Sequence, residues 1–390
     1  MSMSIKEDIS VSAVVAGFVA VLVGFASSVA IVMQAALAAG ADERFVISWI
    51  TALGIGMGLT CFFLSWYYKK PVITAWSTPG AALLVTGLDG VTYSQAIGVF
   101  VVAGGLILLV GITGIFNRLM SLIPYQIACA MLAGILFQFG IAVFDVMVND
   151  VYRIFIMFLC YLVAKRYFPR YAILVVLVIA LILVFATNEV FISQTSMIAF
   201  SPALIWQSPS FDLKLIIGVA LPLFIVTMTA QNLPGVVALK AHKIDVPTSS
   251  IISWTGLTTI LLAPFGGFAF NLAAITASIC MGVESHKVLE KRYIAGLSAG
   301  VFYCLAGLFG GSIIAVFSLF PQSIIIALAG LALISTIAIN LKTALDSEPH
   351  REAALITFLV TISDISFFDI SSAFWGIAFG LVCLCFIPKK

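Results

Sequence analysis

The chain alternates long apolar runs with short polar, charged or Pro/Gly-rich breaks. Marked off by those breaks, runs long enough to cross a bilayer fall near 11–39, 45–67, 71–88, 94–116, 122–143, 151–165 and 170–187. From Glu189 to Asp212 the pattern stops, with Ser201-Pro202, Ser208-Pro209 and no helical period. Seven more runs follow, near 213–239, 249–264, 266–282, 293–318, 321–340, 353–363 and 370–387. The expected fold class is an all-α polytopic membrane protein of 14 transmembrane segments. The first run is too long for a cleavable signal peptide.

Charge placement tests this count. With the N-terminus inside, 16 of the 19 Lys and Arg residues fall on the inner side and only Arg44, Arg153 and Lys214 on the outer. The 17 acidic residues divide 8 to 9. Such a bias in basic residues alone is the positive-inside signature, and it places both termini in the cytoplasm. Composition agrees: hydrophobic residues make up 62% and charged residues 9% of 390 positions, far below the charge a soluble surface needs. A soluble enzyme, a disordered chain and a nucleic-acid binder are excluded together. The seven cysteines lie in apolar stretches and read as small buried hydrophobes.

Two stretches about 196 residues apart echo one another. Gly111-Ile-Thr-Gly114, Ser121-Leu-Ile-Pro124 and Ala133-Gly134 match Gly307-Leu-Phe-Gly310, Ser318-Leu-Phe-Pro321 and Ala329-Gly330. A second echo sets Pro79-Gly-Ala-Ala82 against Asn271-Leu-Ala-Ala274. Repeats of seven spans must have opposite topology, the arrangement of secondary transporters. The expected organisation is a first repeat over 1–188, an extracytoplasmic linker over 189–212 and a second repeat over 213–390.

The third run carries Trp76-Ser77-Thr78-Pro79-Gly80 in mid-membrane. Pro79 cannot continue a helix but suits the start of one, with Ser77 or Thr78 as cap. The tenth run shows the same grammar, broken by Pro264 and Gly266-Gly267, with Asn271 as the expected cap. Discontinuous third and tenth segments in inverted repeats aim two half-helix N-termini at each other, a setting for an anion. Non-helical backbone at that depth belongs to a cavity wall. Around it lie Ser27, Ser28 and Gln34 on the first span and Thr227, Thr229, Gln231 and Asn232 on the eighth. No Asp, Glu, Lys, Arg or His falls in the core of any span, so no intramembrane proton relay is visible. Enzymatic motifs and metal-ligand clusters are absent from the sequence, and no cofactor is expected.

Ala16-Gly17-Phe18 through Gly24-Phe-Ala-Ser-Ser28, Ile73–Gly80, Gln231-Asn-x-Pro-Gly235, Ala274-Ile-Thr-Ala277 and Ser372-Ala-Phe-Trp-Gly376 resemble the bacterial benzoate:proton symporter family, over essentially the whole chain. The resemblance implies uptake of benzoate with protons across the bacterial inner membrane. It also implies a substrate-carrying core of spans 1–4 and 8–11 that moves like an elevator against a gate of spans 5–7 and 12–14, often in a homodimer. Nucleobase relatives of that family carry acidic residues where this chain has Gln231 and Asn271, which suits a carboxylate substrate. The expected substrate-binding set is Gln34, Trp76, Ser77, Thr78, Gly80, Gln231, Asn232, Phe270, Asn271, Leu272 and Ala273, with the ring against Trp76 or Phe270. Asp89, Glu189, Asp364 and Asp369, near outer span ends, are the acidic candidates for coupling; alternatively the proton travels on benzoic acid itself. A transporter of the same fold for a nucleobase or inorganic anion, and an anion channel, are the rival readings.

Overall fold

The structure, a computed structural model, describes residues 8–116, 118, 124–186, 202–363, 365, 367, 368 and 370–386. Its elements in chain order are α1 (Val11–Ala38), α2 (Glu43–Tyr68), β1 (Thr74–Trp76), α3 (Thr78–Gly87), α4 (Tyr93–Thr113), α5 (Tyr125–Asn149), α6 (Val151–Tyr167) and α7 (Ala172–Ala186). Then come α8 (Leu213–Ala241), α9 (Thr248–Leu262), β2 (Phe270–Leu272), α10 (Ile275–Met281), α11 (Tyr293–Leu308), α12 (Gly310–Ser318), α13 (Gln322–Asp346), α14 (Arg351–Ile362) and α15 (Ser372–Phe386). Among the described residues α1, α2, α4, α5, α8 and α13 are long and apolar enough to cross a membrane unaided. The residues from Leu289 through α11 and on into α12 pass together, bent by 61°. The expected run at 293–318 is therefore broken at Phe309. Chain breaks fall where local chemistry sets them: Ser10 and Asp42 cap α1 and α2, and Pro124 and Pro321 precede the first residues of α5 and α13.

Long helices pack in pairs at small residues. Gly54 and Gly58 of α2 meet Gly307 and Gly300 of α11 so closely that an added Cβ would strike backbone. On α4, Gly111 meets the backbone of Ser253 on α9 in the same way, and Gly104 meets the side chain of Thr259. Such contacts are how membrane helices gain packing without a hydrophobic drive between them. Gly104 and Gly300, and Gly111 and Gly307, are each 196 positions apart. A second group, α5, α6, α7, α13, α14 and α15, packs mainly on itself, led by α5 along α13 and α14 on α15.

The segment from Pro202 to Asp212 is pinned across one end of the bundle. Ile205 N–H donates to Ser48 Oγ (3.0 Å), Gln207 N–H to Pro264 O (2.8 Å), Gln207 Nε2 to Ser94 Oγ (2.6 Å) and Ser210 N–H to Ser94 O (2.9 Å). At the opposite end Asp8, buried before α1, accepts from the Tyr293 hydroxyl (2.9 Å) and pairs with Lys291 (3.1 Å). Lys69 stands 4.6 Å from the centre of the Tyr293 ring. These donors hold the Asp8 carboxyl below its usual pKa, Lys291 first and Tyr293 second. Cys61, Cys129 and Cys280 are buried, as expected of small hydrophobes, whereas Cys160, Cys304 and Cys383 are half-buried and Cys385 is exposed; the Cys304 sulfur lies against Gly58 of α2.

Candidate functional site: two crossed half-spans

Two short strands meet inside the bundle. β1 and β2 pair antiparallel, with Thr74 opposite Leu272, Ala75 opposite Asn271 and Trp76 opposite Phe270. A two-stranded sheet in a membrane has two open edges whose N–H groups must find partners. All four do. On the β1 edge Thr74 N–H donates to Cys61 Sγ (3.1 Å) and Trp76 N–H to Met57 Sδ (3.2 Å), both on α2. On the β2 edge Phe270 N–H donates to Thr259 Oγ1 of α9 (3.1 Å) and Leu272 N–H to Asn232 Oδ1 of α8 (2.9 Å).

Each strand leads into a short helix. After β1, Ser77 caps α3 by accepting Gly80 N–H at 3.0 Å, and Pro79 sits in the first turn, as its fixed φ and missing donor favour. After β2 the expected cap fails. Asn271 lies within the strand, its Nδ2 donates to Ala269 O (2.9 Å), and α10 starts only at Ile275 with no side-chain cap. The cause is register. β1 and β2 are 196 positions apart, the spacing of the first sequence echo, and Asn271 pairs with Ala75, whereas the second echo, which set Asn271 against Pro79, has a spacing of 192. Arg292 fixes the far end of α10 by donating from Nη1 to Met281 O at 2.7 Å.

The sequence-predicted residues divide accordingly. Trp76, Ser77, Thr78 and Gly80 lie together on β1 and α3, and Phe270, Asn271, Leu272 and Ala273 on and just after β2; Asn232 joins them through Leu272. Gln231, half-buried, adjoins Asn232 on α8. Gln34 stands apart: it lies six residues beyond Ser28, the α1 hydroxyl that accepts Trp76 Nε1–H at 2.9 Å, roughly 9 Å farther along the axis. Its Nε2 is buried without a hydrogen-bond partner, as are Asn271 Oδ1 and Thr227 Oγ1. Both aromatic rings are already engaged. Trp76 meets Phe25 edge-on with centroids 4.7 Å apart, and Phe270 packs against Gly56 of α2, where a Cβ would overlap its ring. Glu189, Asp364 and Asp369 lie outside the described residues.

Sequence reasoning missed Ala75, which is half-exposed between buried Thr74 and Trp76. It also missed two π-helical turns in α8, Ile216–Ala220 and Met228–Asn232. Their signal was Pro222 and Pro234, one just after each turn: a proline offers no N–H to the carbonyl four residues back, so the helix widens there. Gly218 O, released by Pro222, accepts from the Ser371 hydroxyl. The second wide turn places Asn232 where it reaches β2, and Gly235 lets α8 approach, since a Cβ there would stand 2.6 Å from Leu272 Cβ. Just past the strands a cavity of about 490 Å³ is lined by Leu233, Pro234, Val237 and Ala238 of α8, Ala274 and Ser278, and Tyr125 of α5.

The fold is shared with solved structures at low sequence identity. It matches the structure of SLC26A9 with a TM-score of 0.64 at 14% identity, covering 96% of this chain and 65% of that one; the chain thus spans just under two thirds of SLC26A9. The transmembrane domain of a cyanobacterium bicarbonate transporter, BicA, matches with a TM-score of 0.61 at 15% identity, covering 95% and 97%. Among curated proteins, the inner membrane protein YdcO of Escherichia coli is 47% identical over 94% of both chains. The benzoate membrane transport protein of Acinetobacter baylyi is 42% identical over 99% of this chain and 98% of its own. The family described as benzoate membrane transport protein matches residues 7–386. A polytopic helical protein with two crossed half-spans at its centre, this chain belongs to the benzoate membrane transport protein family.

Proposed function

We propose that the protein imports benzoate or a related aromatic carboxylate together with protons across a bacterial inner membrane. The observation that carries this reading is the strand crossing itself, whose polar side chains are amides and hydroxyls, in a chain of this family. The names of the Acinetobacter baylyi and Escherichia coli relatives support the substrate and the membrane. Trp76, Ser77, Thr78, Gly80 and Phe270–Ala273 frame the site, Asn271 and Gln231 supply amide donors, and Asn232 holds the frame. A carboxylate next to neutral donors gains charge-assisted hydrogen bonds, while a carboxylate side chain there would repel it. In this reading the anion binds first and its carboxylate takes up the coupling proton in transit, so no buried acid is required.

The same proposal takes the chain as fourteen segments in two inverted repeats, 1–188 and 213–390, joined by 189–212, with both termini cytoplasmic. Support comes from the 196-residue offset shared by β1 and β2 and by the packing glycines. It comes also from the exchange of partners, α2 with α11 and α4 with α9. The separate packing of α5–α7 with α13–α15 supports a gate against which the rest moves as an elevator.

The test is uptake of labelled benzoate into proteoliposomes, with and without an inward proton gradient, against protein-free vesicles that report passive entry of benzoic acid. Saturable, gradient-driven accumulation is expected. Accumulation of another anion or a nucleobase instead would overturn the substrate, and conductive flux far above carrier rates would make the protein a channel.

A further inference from the structure

A second cavity, of about 280 Å³, lies away from the strands. Leu83, Thr86 and Gly87 at the C-terminal end of α3 form one wall. The rest comes from Gly134, Ile135 and Gln138 of α5, Thr361 in the last turn of α14, and Ser371–Ala373 where α15 begins. Its α3 wall lies toward the end of the bundle that the Pro202–Asp212 segment crosses, because α3 ends and α4 begins there, while its α5 wall lies mid-helix. Charge placement makes that end the outer side.

The lining is mixed, with apolar Leu83, Ile135 and Ala373 beside hydroxyls and an amide, and none of the lining residues is charged. Three of the hydroxyl donors are spent. Thr86 donates to Leu83 O (3.2 Å), Thr361 to Thr357 O (2.8 Å) and Ser371 to Gly218 O. Two donors remain. Gln138, an exposed side chain at the cavity rim, gives one amide hydrogen to Ile362 O (3.2 Å) and keeps the second. Ser372, half-buried, keeps its hydroxyl. Two neutral donors beside apolar surface suit a small anion with an apolar body. Ions fully stripped of their water need more partners than this, and a lipid chain would leave both donors unmet.

We infer that this cavity is an outer subsite for the transported aromatic carboxylate, occupied before the anion reaches the strands. Gln138 and Ser372 donate to the carboxylate, and Leu83, Ile135 and Ala373 face the ring. The inference rests on the proposed substrate. Its walls belong to both packing groups, α3 on one side and α5, α14 and α15 on the other, so any sliding between the groups reshapes it. A ligand bound there therefore favours the arrangement in which both walls are in place.

Photolabelling with 4-azidobenzoate in proteoliposomes, followed by peptide mapping, tests the assignment. Adducts on peptides carrying Gln138, Thr361 or Ser371–Ala373, displaced by excess benzoate, are expected beside adducts near Trp76 and Asn271. The double variant Gln138→Leu, Ser372→Ala should lose the outer adducts, keep the inner ones, and raise the KM for uptake about tenfold with maximal rate retained, as loss of hydrogen bonds to a charged group implies. Inner adducts alone in the unmodified protein would overturn the outer subsite and leave the strand site standing. No benzoate-displaced adduct anywhere would overturn both.

Discussion

Asn271 and Asn232 do different work although both are buried amides on neighbouring strand and helix. Asn271 gives one Nδ2 hydrogen to Ala269 O and keeps the second, which a carboxylate can accept; its unpaired Oδ1 can only accept. Replacing it with Asp sets a fixed carboxylate beside an anionic substrate. At an effective dielectric near 20 that repulsion costs about 4 kcal/mol at 4 Å, so Asn271→Asp is expected to reduce benzoate uptake at least about 100-fold, read from KM in proteoliposomes. Unchanged KM would remove Asn271 from the site. Asn232 instead satisfies Leu272 N–H. Asn232→Ala strands that N–H in a dry place, at a cost of about 1–3 kcal/mol, and a lower melting temperature in detergent is the measurement that shows it. A variant equally stable would mean that water or a neighbour takes over the bond.

The elements show which features a sequence makes legible. The break at Ser77-Thr78-Pro79 was readable because capping and proline chemistry act within four residues. Its partner was not, because no proline marks the start of α10 and the choice between two repeat alignments rested on small residues that recur throughout membrane helices. Only the strand register, which depends on contacts between segments far apart in sequence, settles that Asn271 faces Ala75. The facing of Phe270 and Trp76 was hidden for the same reason: composition reports an aromatic ring, and packing on Gly56 or Phe25 decides where it points. The wide turns of α8 lie between these cases, since Pro222 and Pro234 were visible and their effect on Asn232 was not. Replacing Pro234 with Ala returns an N–H to the carbonyl four residues back and should restore ordinary winding with the residue count kept, turning Asn232 away from β2 by about one residue's turn of the helix. Uptake is expected to fall to background while circular dichroism stays helical. Full activity in that variant would show that α8 reaches β2 by some other contact.

Across the molecule, ordering of the two ends differs in kind. One end is stitched by neutral hydrogen bonds from Ile205, Gln207 and Ser210, the other by the Asp8–Lys291–Tyr293 cluster. A carboxyl whose folded pKa lies below its unfolded value adds stability that is complete above the unfolded pKa and is lost as pH falls through the folded one. For Asp8 that window lies below the ordinary carboxylate value of 3.8. Asp8→Asn should therefore lower thermal stability at pH 7 and lose this effect in strong acid. It should leave the shape of the uptake profile between pH 5 and 8 unchanged, because Asp8 stays ionised there. A shifted profile would make the cluster part of proton coupling.

Under the proposed division into two repeats, the pairing of Ala75 with Asn271 sets each residue opposite the one that holds its own place in the other half of the chain. Had such a half existed as a separate gene product, two copies would have met about a twofold axis, and the residue at this point would have faced itself. An asparagine would have confronted an asparagine, and an alanine an alanine. Duplication followed by fusion removes that constraint, because the two copies then mutate independently. On that proposal the crossing sets one amide opposite one methyl group in an otherwise matched frame, an asymmetry that fits the proposed substrate with its one charged end and one bare ring.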